Sequence, residues 1–136
     1  MNGCFADTSY FIALVSPSDF AHSQARTEAA VAGRTIITTS AVLNELGNYF
    51  AKPPNRVMFT SFLKRLRATS TFQSIYVSEQ LFEAGLNLYE QRNDKHWSLT
   101  DCISFVVMNE HRLSDVLSTD HHFQQAGFNV LLPTAP

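Results

Sequence analysis

Short apolar runs alternate along this chain with helix-length segments, and that alternation constrains the fold more than any other feature. Gly3 to Ala6 is an apolar strand ending at Asp7. Ser9 to Val15 is a short helical turn closed by Ser16-Pro17. Ser18 is placed to cap a helix over Asp19 to Ala32, with Gly33 at its C-terminal end. Thr35 to Thr38 is β-branched and reads as a strand. Ser40 opens a helix from Ala41 to Ala51, stopped by Pro53-Pro54. Asn55 caps a helix over Arg56 to Ala68, with Val57, Phe59, Phe62, Leu63 and Leu66 as its apolar stripe. Gln73 to Val77 is the next strand, and Ser78 caps a helix over Glu79 to Arg92. After a loop from Asn93 to Trp97, Ser98 caps a helix over Leu99 to His111. Val116 to Ser118 is a short strand, followed by a short helix over His121 to Ala126 that Gly127 ends. Phe128 to Leu132 is the last strand.

Strands that alternate with helices predict a parallel sheet covered on both faces. The expected fold is α/β, a three-layer α/β/α domain with about five short strands. No linker, repeat or low-complexity tract interrupts it, so residues 1–136 read as one domain. With 45% hydrophobic and 16% charged residues, and eleven Phe, the core is large enough to hold without covalent staples. No apolar run approaches the ~18 residues of a membrane span. The opening MNGCFADTSYF lacks the pattern of a secretory signal. Cys4 and Cys102 make neither a disulfide framework nor a zinc spacing, and both read as small buried residues. A cytoplasmic protein with reduced thiols is expected.

Open parallel sheets bind ligands beyond the carboxyl ends of their strands, where strand order reverses. Asp7 and Asp120 both fall at such ends. If the first and fourth strands are neighbours, their carboxylates converge. Taken singly, each is also a good helix N-cap. Glu45 shares a helix face with Val42 and Tyr49. A carboxylate on so apolar a helix either needs a partner or lies on a solvated flank, and both readings stand. Asp101 closes the capping-box pattern Ser98-x-x-Asp101. The helix it opens is nearly apolar all round, hence central, and its first turn points at the strand ends. Four acids at one open end of a sheet repel unless a cation sits among them. Oxygen donors without clustered Cys or His select Mg²⁺ or Mn²⁺, and such a site supports hydrolysis of a phosphodiester.

Asp7-Thr8-Ser9, Glu45, Thr100-Asp101 and Ser118-Thr119-Asp120, in that order on an alternating β/α pattern, resemble the PIN-domain ribonucleases. Within them the chain is most similar to the VapC-type toxins of prokaryotic toxin–antitoxin pairs, over essentially its whole length. The resemblance implies Asp7, Glu45, Asp101 and Asp120 as catalytic and metal-holding residues, with Glu45 the least direct ligand. It implies Thr119 and Thr8 in support, Mg²⁺ or Mn²⁺ as cofactor, RNA as substrate, an antitoxin as partner and a homodimer. The helix over Arg56 to Arg67 is the candidate dimer surface. Asp94, in a polar Asn93-Asp94-Lys95 loop, reads as solvated rather than as part of the site.

Net charge is −2, from ten Lys and Arg against twelve Asp and Glu; without the four site acids the remainder is +2. Lys64, Arg65 and Arg67, or Arg92 with Lys95, are candidates for a phosphate backbone, although the first group suits a solvated helix face better. Trp97 reads as core or interface rather than as a base-stacking platform. A hard-ion site does not call for imidazole, so His121 and His122 are left outside it, and His22 and His96 read as surface. A phospho-receiver domain needs a Lys after the last strand, and no Lys follows Lys95. A haloacid-dehalogenase-type phosphatase needs a second Asp two residues after the first, where this chain has Ser9. Two alternatives to a toxin remain: a stand-alone PIN nuclease of RNA processing, and a non-catalytic PIN-type binding module.

Overall fold

The computed structural model describes residues 2–135. Five strands form one parallel sheet: β1 (Gly3–Ala6), β2 (Thr35–Thr39), β3 (Phe72–Ile75), β4 (Asp115–Leu117) and β5 (Asn129–Val130). Their order across the sheet is β3-β2-β1-β4-β5. Seven helices connect them: α1 (Thr8–Val15), α2 (His22–Ala29), α3 (Ser40–Tyr49), α4 (Asn55–Arg67), α5 (Glu79–Gln91), α6 (Leu99–Glu110) and α7 (His122–Gln125). From β1 to β3 the chain steps one way across the sheet, and from β3 to β5 it steps the other way. Right-handed crossovers therefore put α1 to α4 on one face and α5 to α7 on the other, which is the expected three-layer α/β/α fold. The reversal lies between β1 and β4, which pair as Phe5 with Val116 and Ala6 with Leu117.

Aromatic packing holds the α6 side of the sheet. Phe105 meets Trp97 and Phe123 edge to face, each at 5.0 Å between ring centroids. Trp97 is thus core, and its indole N–H donates to Gln125 Oε1 at 3.0 Å. Gly85 lets α5 close on α6: a Cβ there would meet Ile103 Cγ1 at 2.5 Å. Both cysteines are buried and free, and burial pushes each thiol up to about 11, which keeps it unreactive.

Several boundaries depart from the sequence reading, each for a local reason. The second helix starts at His22 rather than Asp19, because the Asp19 carboxylate accepts from the Ala21 amide and holds a turn there; it also ends at Ala29, ahead of Ala32. His22 is half-buried, not surface, with Nδ1 at 2.7 Å from the Ala13 carbonyl. Thr39 rather than Ser40 caps α3, because the Ser40 hydroxyl is taken by the Val77 amide at 2.8 Å. That same bond withdraws Val77 from the third strand, which ends at Ile75. The fourth strand ends at Leu117, where the Asp120 amide donates to the Ser118 hydroxyl and turns the chain out of the ladder. The last strand is only Asn129–Val130. Asn55 begins α4 without a side-chain cap, and Val57, 70% exposed, lies off the buried stripe that Phe62 anchors.

Candidate metal centre

A cleft of about 440 Å³ opens at the carboxyl ends of β1 and β4, and Asp7, Thr8, Glu45, Asp101, Thr119 and Asp120 all line it. Every residue picked out for the site from sequence therefore meets at one place. Asp7 follows β1, Glu45 projects from the middle of α3, Asp101 stands in the first turn of α6, and Asp120 follows β4.

What holds each carboxylate differs. Asp7 occupies the N-cap position of α1 but makes no capping hydrogen bond. Its Oδ2 instead accepts from Ser118 Oγ at 3.0 Å and from Ser9 Oγ at 3.4 Å. The capping explanation thus fails for Asp7. For Asp101 it holds and coexists with the site: Ser98 and Asp101 form a full capping box, and Asp101 Oδ2 also lies 3.0 Å from His122 Nδ1. Asp120 accepts from the His122 amide at 2.9 Å. Glu45 is exposed at the cleft edge, where Thr8 Oγ1 donates to it at 2.5 Å. Asp94 stands apart, exposed and paired with Arg92 at 3.0 and 3.2 Å.

Ser118 ties the two strand ends together. Its hydroxyl donates to Asp7 and accepts from the Asp120 amide at 3.0 Å, while Ser9 Oγ accepts from the Thr119 amide at 3.0 Å. Sequence reasoning passed over this role, although Ser9 and Ser118 stand two residues from Asp7 and Asp120. It also left out His121 and His122, and both line the cleft.

Among the described residues no Lys or Arg pairs with any of the four acids; the only positively chargeable neighbours are the two histidines. Burial pushes the Asp7 carboxyl up to about 7, and repulsion from Asp101 and Glu45 adds to it against hydrogen bonds from Thr8 and Ser118. Burial also raises Asp101, with repulsion from Asp120 added and the Ser98 amide and His122 opposing. Crowded oxygen donors without a cationic side chain fit a hard divalent ion.

A family model for the PIN domain matches residues 4–129. No curated protein matches the chain in sequence. Among solved structures, VapC20 of Mycobacterium tuberculosis, a toxin that cleaves the sarcin–ricin loop, has a TM-score of 0.85 at 22% identity, over 96% of this chain and 99% of its own. VapBC2 of Rickettsia felis, bound to a DNA fragment from its promoter, has a TM-score of 0.68 at 14% identity, over 94% and 96%. FitAcB of Neisseria gonorrhoeae has a TM-score of 0.66 at 16% identity, over 93% and 95%. These three share the fold of this chain.

The raised Asp7 carboxyl makes stability depend on pH. Between its ordinary value of 3.8 and about 7, the folded chain keeps a proton that the unfolded chain has released. Stability of the metal-free protein then falls as pH rises through that window. Asp7→Asn removes the loss. In EDTA at pH 8 it should exceed wild type by on the order of 2–4 kcal/mol in urea unfolding, and the two should converge below pH 4. Equal stabilities at both pH values would contradict the burial argument.

Proposed function

The chain belongs to the PIN domain family, and from that premise we propose that it is a metal-dependent endoribonuclease, the toxin of a toxin–antitoxin pair. The cleft carries this reading: Asp7, Glu45, Asp101 and Asp120 reach it from four separate elements with no Lys or Arg paired to them among the described residues. The donor set suits Mg²⁺ or Mn²⁺. When bound, such an ion neutralises charge on a phosphodiester and activates water. The protein's own part is positional. Ser118 orients Asp7, the capping box orients Asp101, and Thr8 orients Glu45, whose exposed place at the rim suits action through water. Thr119, buried beside Asp120, is assigned a supporting role.

RNA as substrate is supported by a groove that adjoins the cleft at Ser98. Arg92 and Lys95 line it, with Arg92 stacked over Trp97 at 5.0 Å. A phosphate backbone leaving the cleft on that side meets both cations. Likeness in fold to VapC20 and VapBC2 favours a toxin with an antitoxin over a stand-alone processing nuclease, and the complete acid set favours an enzyme over a binding module. An antitoxin Arg or Lys entering among the carboxylates would replace the metal with charge-assisted hydrogen bonds. A cytoplasmic setting belongs to the same reading, and the buried free thiols support it. So does a homodimer, for which Val57 and Met58 stand exposed on α4. Light scattering should report two chains per particle at micromolar concentration; a monomer would count against this part.

The nuclease reading is tested with a structured RNA and metal-stripped protein. Cleavage should appear with Mg²⁺ or Mn²⁺, vanish in EDTA, and leave 5′-phosphate and 3′-hydroxyl ends. Asp7→Asn and Asp120→Asn should fold and lose on the order of 100-fold or more in rate, given what a lost electrostatic contact costs in a catalytic site. Glu45→Gln should lose less. Undiminished cleavage in EDTA would overturn the mechanism.

A further inference from the structure

Beside the four carboxylates stand two imidazoles that an oxygen-only site leaves unused. Asp120, His121 and His122 are consecutive, and their turn is pinned by the His122 amide, which donates to Asp120 Oδ1 at 2.9 Å. The turn brings one donor atom from each of the three within 4.8 Å of one another. Asp120 Oδ1 lies 3.3 Å from His122 Nδ1 and 3.7 Å from His121 Nδ1. A tetrahedral ion with bonds of ~2.0–2.1 Å holds its donors ~3.3–3.5 Å apart. The His121 side chain is 58% exposed, so it is free to turn toward the other two donors. All three residues line the cleft, where ions enter from solvent.

We propose that Asp120, His121 and His122 form a second cation site on the rim of the cleft, overlapping the hard-ion set at Asp120, for a borderline transition ion of the Zn²⁺ or Co²⁺ class. Two nitrogens and one oxygen suit such an ion, whereas Mg²⁺ takes oxygen donors and gives up its waters reluctantly. A fourth position stays open to water. His122 Nδ1, which faces Asp101 Oδ2 at 3.0 Å, exchanges that contact for the ion when it serves as the donor. Asp120 is shared with the hard-ion set, so an ion on the rim withdraws one carboxylate from it. That antagonism rests on the nuclease reading; binding at the rim does not.

The test uses metal-stripped full-length protein without RNA, so its outcome is independent of nuclease activity. Co²⁺ is titrated in the presence of excess Mg²⁺ and followed by its visible d–d absorption, for wild type, His121→Ala, His122→Ala and Glu45→Gln. Wild type should bind one Co²⁺ per chain, keep the absorption band in Mg²⁺ and lose it when Zn²⁺ is added. Each His variant should weaken binding on the order of tenfold or more, since loss of a direct ligand costs at least what loss of an outer-shell partner does. Glu45→Gln should bind Co²⁺ as wild type does. If His122→Ala loses its far-UV dichroism, the exposed His121→Ala decides. No band, a band abolished by Mg²⁺, or affinity unchanged by the His substitutions would overturn the proposal.

Discussion

When β4 pairs with β1, Asp7 and Ser118 leave the sheet side by side, and the rest of the cleft is arranged around that junction. The register sets Ala6 against Leu117, and the Asp7 amide extends the ladder by donating to the Leu117 carbonyl at 3.0 Å. The next residue on each strand then turns out of the sheet, where Ser118 binds Asp7. A shift of one residue in this pairing would point Asp7 or Ser118 at the opposite face. The buried side chains of Phe5, Val116 and Leu117 resist such a shift by hydrophobic packing, so the core on either side of the sheet maintains the site's geometry.

The junction gathers charge that the fold does not neutralise. Asp7 and Asp101 are buried beside other acids, and hydrogen bonds from Ser118, Ser98 and the Thr8 amide meet only part of the cost. Such an arrangement costs stability in the metal-free chain and favours any cation that enters. That trade is common where a site's chemistry competes with the stability of its scaffold. The two histidines extend the same cleft with a different donor chemistry, so one concave surface offers oxygen-rich and nitrogen-bearing positions.

Much of this was legible in residue order. An apolar run ending in Asp marked both Asp7 and Asp120, and Ser98-x-x-Asp101 marked the capping box. The adjacency of β1 and β4 was a condition that no local pattern supplies, because it depends on which strands pair. Choices between equal local chemistries also stayed hidden. Thr39 and Ser40 are both good caps, and only the distant Val77 amide decides between them. Ser18, the expected cap of the second helix, caps nothing among the described residues: the Asp19 carboxylate binds the Ala21 amide, and α2 begins at His22 without a side-chain cap. The histidines were left out on chemical grounds, because a hard-ion site does not call for imidazole; that they face the cleft follows from the turn that the Asp120 carboxylate closes.

Asp7, Glu45, Asp101 and Asp120 are proposed to hold a hard divalent ion between them. Anomalous diffraction from crystals soaked in Mn²⁺ tests it most directly, because the ion is located without reference to activity. An anomalous peak is expected inside the cleft, within coordination distance of carboxylate oxygens from Asp7 and Asp101, and lost in Asp7→Asn crystals. A Mn²⁺ peak seated away from Asp7 and Asp101, or one unchanged in Asp7→Asn, would contradict it.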